Sequence, residues 1–164
     1  MRVSVRLALL VSVATAAQAA CGPTVDLTKG LKITILETGW YDAGIVNGQN
    51  KLVPSVTLTL TNVSGQPLPS LQLNASFRRA SEPEKEWGSR FLTAAGSSGL
   101  APGATSDKLV LRSDLGYTGS DQSRQEMLQN THFVDAKVQL TAKYSNIQWV
   151  RMGEFPIDRK LLSK

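Results

Sequence analysis

One stretch, Val53 to Phe77, constrains the fold of this chain more than any other. From Pro54 onward Val56, Leu58 and Leu60 fall on one side of an extended backbone, and Ser55, Thr57, Thr59 and Thr61 fall on the other. Successive side chains of a strand point to opposite faces, so a period of two marks a strand with one dry face and one wet face. Leu71, Leu73, Ala75 and Phe77 repeat the pattern against Gln72, Asn74, Ser76 and Arg78. Between the runs stand Asn62, Ser64, Gly65, Pro67 and Pro69. Proline has no amide to donate to a ladder, and Asn and Gly tolerate left-handed backbone, so the chain turns here. The two runs read as neighbouring strands of a β-sandwich.

Ahead of this stretch, Arg2 and Arg6 flank a compact apolar run, Leu7 to Val13, followed by the small residues Ala14 to Ala20. An apolar core this short suits a secretory signal over residues 1–20 better than a bilayer span. Cys21 is the single cysteine, so no intrachain disulfide can form and the mature domain must rely on its core. Gln18-Ala19-Ala20-Cys21 resembles the bacterial lipobox, whose cysteine receives diacylglycerol and becomes the mature N-terminus. It departs from that pattern at Gln18, where a branched aliphatic is usual. Processing by the ordinary signal peptidase after Ala19 or Ala20 would instead leave a free thiol. The first alternative assigns Cys21 as the lipidation site and places the protein, membrane-anchored, on the periplasmic side of a bacterial envelope.

Of 18 lysines and arginines, two lie in the leader with no acid beside them, leaving 16 against 13 acidic residues, a mature charge of +3. Lys29, Lys32, Lys51, Lys85, Lys108, Lys137 and Lys143 are scattered rather than clustered. That spacing neutralises few phosphates at once and argues against nucleic acid as a partner. Roughly 144 mature residues suffice for one domain with a real core.

Residues 21–28 read as a tether and 29–158 as the domain. Lys29 to Leu36 alternates as a first strand. Gly39 to Asn50 reads as a loop carrying Trp40, Tyr41, Ile45 and Val46, with Asn47-Gly48 a favoured hairpin turn. Arg78 to Trp87 is a charged loop leading to an edge strand over Trp87 to Thr93. Leu100-Ala101-Pro102-Gly103 sets up a type II-like reversal before a strand from Lys108 to Arg112. A short helix is expected from Asp121, as its cap, to Gln129. Ala136 to Tyr144 alternates strongly, and Gln148 to Ile157 follows with a bulge and an edge suggested by Gly153 and Pro156. Residues 159–164 read as a tail.

About seven antiparallel strands and one helical crossover predict an all-β sandwich, with an up-and-down barrel as the competing fold. Asn62-x-Ser64, Leu68, Leu71-x-Leu73-x-Ala75-x-Phe77 and Leu100-x-Pro102-Gly103 resemble the FxLYD-type and related immunoglobulin-like domains of bacterial envelope lipoproteins. The resemblance covers roughly Leu52 to Leu111 and extends loosely to Tyr144. It breaks where the family continues from its phenylalanine strand into a tyrosine-aspartate-glycine turn, since Arg78-Arg79-Ala80-Ser81 stands there. It implies an immunoglobulin-like fold and an interaction or spacer module.

Chemistry finds little to build on. His132 is the single histidine, and Met1, Met127 and Met152 form no cluster, so the usual zinc and copper sites lack ligands. A hydrolase using His132 with Asp135 has no Gly-x-Ser-x-Gly elbow to supply its nucleophile. Asp114, Asp121, Glu126 and Glu154 are scattered acids with nothing in the sequence to pair them for glycoside hydrolysis. No cofactor is expected. The leading reading is a non-enzymatic, lipid-anchored module that binds a protein partner in the envelope, as an accessory of an assembly or transport system. Trp40 and Tyr41, as a recognition tip, the Arg78-Arg79 pair and Tyr117 are the candidate partner-binding residues, set against the plainer reading of the aromatics as cover for the end and edge of the sandwich core and of the arginines as a solvated strand end. A carrier of small molecules or lipids and an envelope hydrolase are the alternatives.

Overall fold

The computed structural model describes residues 23–162. The expected signal sequence over residues 1–20 and the expected lipidation site Cys21 lie outside the described residues. The chain enters through one helical turn, α1 (Leu27–Gly30), capped by the Asp26 carboxylate on the Thr28 amide at 3.0 Å. Leu27 is fully buried, so the described part of the expected tether already contributes to the core.

Two long strands follow, β1 (Leu31–Val46) and β2 (Gln49–Asn62). Asn47 and Gly48 join them with φ of 51° and 75°, the doubly left-handed backbone that an Asn-Gly hairpin turn requires. The expected loop at Gly39 to Val46 is therefore strand. Two irregularities in β1 hid it. Leu36 is an extra residue between the pairs Ile35↔Leu58 and Glu37↔Thr57, and a second register shift lies between Asp42 and Ile45. A one-residue bulge exchanges the two faces. Before Leu36 the odd residues Leu31, Ile33 and Ile35 pack on the core; after it the inward phase passes to the even residues, with Trp40 fully buried.

The strands of the organising stretch are β2 and β3 (Gln72–Arg79), and they belong to different sheets. Val56, Leu58, Leu60, Leu71, Leu73, Ala75 and Phe77 are all fully buried, but they face one another across the sandwich instead of side by side. Residues 63–71 cross the gap of roughly 10 Å between sheets. Asn62 organises that crossing: its Nδ2 donates to the carbonyls of Gln66 (2.9 Å) and Leu100 (2.7 Å), and its Oδ1 accepts from the Ser64 amide and hydroxyl.

Further along come β4 (Glu86–Thr93), β5 (Leu109–Arg112), β6 (Tyr117–Gly119), α2 (Arg124–Gln129), β7 (Ala136–Lys143), β8 (Val150–Pro156) and β9 (Leu161–Leu162). Before β5, the Ala104 amide closes a turn on Ala101, with Pro102 at the first corner and Gly103 at φ 74°. The cap of α2 is Ser123, in a capping box with Glu126, not Asp121, which sits in left-handed backbone at φ 58° two residues earlier. Met152 bulges from β8 between the pairs Leu140↔Gly153 and Thr141↔Arg151.

One sheet runs β5-β2-β1-β9, with β6 continuing along β2 beyond β5; the other runs β4-β3-β7-β8. The chain changes sheets after β2, after β4, through α2 and again after β8, and its first eight strands follow the Greek-key connectivity of an immunoglobulin-like sandwich with the fourth strand beside the third. All ladders are antiparallel except β9, whose Leu161 and Leu162 pair in parallel with Trp40 and Tyr41. The expected tail thus supplies a ninth strand. Trp40, Phe77, Leu58, Leu73, Leu111 and Leu140 form the centre of the core.

Candidate functional site

The outer face of the first sheet carries the most developed surface site. Opposite Ser55 on β5 stands Arg112, and opposite Val53 on β1 stands Tyr41. Arg112 reaches diagonally across β2 and lays its guanidinium 3.5 Å from the centroid of the Tyr41 ring. A cation this close to an aromatic face is held by the ring's quadrupole and keeps its donors in one plane. The stack also helps cover Val53 and Ser55, which are buried although they point away from the core.

Around this stack lies a surface basin of about 390 Å³. Ala43, Val53 and Val110 give it an apolar floor, and Lys51, Arg90, Arg112 and Asp114 supply its charges. Arg90 arrives from the other sheet. It sits opposite Ala75, on the inward register of β4, yet it is exposed because β4 is an edge strand and its side chain leaves through the seam beside β5. The rim between β5 and β6 is fixed from below. Ser113, almost fully buried, hydrogen-bonds through its amide to Pro54 and accepts the Leu115 amide at its hydroxyl. Lys51 donates to the Asp114 carbonyl at 2.9 Å. Gly88 and Gly116 let the loop lie this low: a Cβ on the first would overlap Ser113 Oγ and one on the second the Leu52 carbonyl. None of the ion pairs among the described residues uses Lys51, Arg90 or Arg112.

Of the candidate partner-binding residues, only Tyr41 belongs to this basin, although Lys51 and Asp114, noted from sequence for other reasons, also line it. Trp40 is no recognition tip. It is fully buried, with its ring 4.5 Å from Phe133 and 6.0 Å from Trp87, because it follows the Leu36 bulge on the inward phase of β1. Tyr117 forms part of β6 opposite Leu52 and packs its ring 4.9 Å from Phe133 on the sandwich edge. The two arginines at the end of β3 are engaged within the chain. Arg78 Nη1 donates to the Pro83 carbonyl at 2.8 Å, while Arg79 contacts Glu82 at 3.3 Å and lies over the Trp87 ring at 5.1 Å. Lys85 above all, with Arg79 behind it, holds the Glu82 carboxyl below its ordinary range. Lys51, Arg90 and Arg112 were not legible as a group, since they come from three strands and no local spacing joins them.

His132 is exposed at the junction between α2 and β7. Asp135 turns to Arg159 in a two-point contact, Nε at 2.6 Å and Nη2 at 3.1 Å. Glu154 is shared by Lys137 and Arg151. Glu126 is occupied in the helix cap, where the Ser123 hydroxyl and amide lower its pKa. No three His, Cys, Asp or Glu side chains gather among the described residues as a metal-binding set.

A second surface faces away on the other sheet. Phe91 of β4 and Trp149, just before β8, meet edge to face at 6.2 Å, both about half exposed, with Lys143 over the Trp149 ring at 5.2 Å.

No protein-family model matches this sequence, and comparison with curated proteins finds no match.

Proposed function

We propose that this chain is a lipid-anchored binding module of the bacterial envelope, attached through Cys21 on the periplasmic side and docking a protein partner without catalysis of its own. The observation that carries the reading is the basin. On a sandwich whose interior is filled by side chains from both sheets, it places a stacked arginine and two further cations over an apolar floor. Interfaces draw on that combination, because Arg and Tyr offer large contact areas with directed hydrogen bonds. The acids of the described residues are committed to caps and surface ion pairs in several places, which suits scaffolding better than proton transfer. The resemblance to FxLYD-type and immunoglobulin-like envelope domains belongs to the same reading, as does a role as accessory to an assembly or transport system.

Two measurements test it in the native envelope. Palmitate labelling with and without globomycin reads the anchor, and labelling that survives Cys21→Ser removes it. A photo-crosslinking residue at Val110, beside one at Trp149 for the opposite face, reads docking: a discrete protein adduct is expected from Val110. Absence of adducts from both positions in envelopes with normal protein levels defeats the binding-module reading.

A further inference from the structure

We propose that the Tyr41/Arg112 basin takes an acidic peptide segment of the partner, seating one carboxylate side chain on the Arg112 guanidinium and an adjacent apolar side chain on Ala43 and Val110. The inference rests on the binding-module reading and adds the chemistry of the ligand. Three cations and one carboxylate line the basin, so its lining has an excess of positive charge. Cations gathered in one depression repel one another until an anion arrives, and charge complementarity of this kind steers and orients a partner.

The form of the site narrows the class of anion. Stacking on Tyr41 holds the Arg112 guanidinium as a planar fork, and a planar carboxylate meets such a fork with two parallel hydrogen bonds. Asp114 stands in the same lining and opposes a second or more highly charged anion, which disfavours phosphate clusters and nucleic acid while tolerating a single carboxylate. The exposed Val110 and Ala43 add apolar contact that a free inorganic ion cannot use. Lys51 is tethered to the Asp114 carbonyl and Arg90 crosses the seam, so the flanking charges come from both sheets and fix the direction of entry.

The test is an NMR titration of residues 22–164 with an acetylated ten-residue peptide alternating Glu with Leu and Val. Its Gln-for-Glu counterpart, inorganic phosphate and phosphatidylglycerol vesicles are titrated in parallel. The Glu peptide should shift the amides of Ala43, Val110 and Ser113, and the Gln peptide should not. Arg112→Gln should weaken binding by about tenfold or more, the loss of a charge-assisted hydrogen bond. Arg112→Lys, which keeps the charge but not the fork, should also weaken it, and Arg90→Gln gives a second, independent loss. Equal binding of the two peptides, no effect of Arg112→Gln, or phosphate or vesicles shifting the same amides as strongly would overturn the inference. In the envelope, a Val110 adduct that persists undiminished in Arg112→Gln overturns it too, yet leaves the binding module standing.

Discussion

Gly39 lies directly beneath Leu162: a Cβ built on the glycine would stand 2.6 Å from Leu162 Cδ2 and 2.9 Å from the Lys160 carbonyl oxygen. That carbonyl also accepts the Trp40 amide at 2.8 Å, so one bare position on β1 admits the whole parallel strand β9. Gly39→Val should lift β9 from β1 while the antiparallel ladders persist. Overpacking of this kind costs about 1–3 kcal/mol. Hydrogen exchange should show the Trp40 amide losing protection ahead of its neighbours on β2; unchanged protection at Trp40 would mean that β9 tolerates the side chain.

Asn62 carries a different kind of constraint. It is fully buried, and its amide satisfies four groups at the crossing from β2 to β3. Asn62→Leu keeps the branched outline but leaves the Ser64 amide without its acceptor and the Leu100 carbonyl with the Leu68 amide alone, and a buried group left unsatisfied costs about 1–3 kcal/mol. We expect Asn62→Leu to lower the denaturant midpoint by more than Val63→Ala, an exposed neighbour whose loss should be within about 0.5 kcal/mol. Comparable midpoints for the two variants would show that the crossing is held by other contacts.

The contrast between β7 and β1 shows what could be read in advance. Ala136, Val138, Leu140 and Ala142 alternate without interruption, and the strand is buried and half-buried in strict turn. In β1 the extra residue at Leu36 moves the apolar phase from odd to even numbers, so Trp40 falls out of step with Ile35 and looks like a loop aromatic. Alternation also fixes which face of a strand is dry but not which strand lies next to it. That is why β2 and β3 could be recognised as strands and misplaced as neighbours. A two-residue strand such as β9 carries no periodicity at all; it exists because Gly39 leaves room for it. As a binding site the basin was legible only at Tyr41, since Lys51 and Asp114 read as scattered charges. Its other members converge through the sheet register and the seam between β4 and β5, relationships that require the tertiary fold.

Tyr144 joins the chain's entry to its core. Its hydroxyl accepts the Val25 amide at 2.6 Å, clamping the segment before α1 against the end of β7. Tyr144→Phe removes that acceptor and leaves the ring, at a cost of about 0.5–1.5 kcal/mol. Local opening should appear first at Val25 in hydrogen exchange, and proteases should cut sooner near Pro23 and Thr24. Under the proposed anchoring through Cys21 this segment would link the domain to the membrane, so Tyr144→Phe should loosen that link without altering peptide binding at the Arg112 basin.

The Asp135 and Arg159 pair makes stability depend on pH in a defined direction. The Arg159 guanidinium, bonded at two points, lowers the Asp135 pKa below its ordinary value of 3.8, and the carboxylate in turn raises that of Arg159. A carboxyl whose pKa is lower folded than unfolded releases its proton more readily in the folded state. Its stabilising contribution is therefore complete above the unfolded value and disappears as pH falls through the folded one. Both side chains are substantially exposed, so solvent screening keeps the contribution at neutral pH to about 0.2–1 kcal/mol. Asp135→Asn should be less stable than the wild type by that amount at pH 7, and the two should converge as pH drops below about 4. Arg159 also lies over the Phe133 ring at 5.3 Å, so Arg159→Gln should cost slightly more than Asp135→Asn. Urea midpoints measured from pH 7 to pH 2 decide the matter: a gap between wild type and Asp135→Asn that stays constant across that range would show that Asp135 and Arg159 are not coupled in solution.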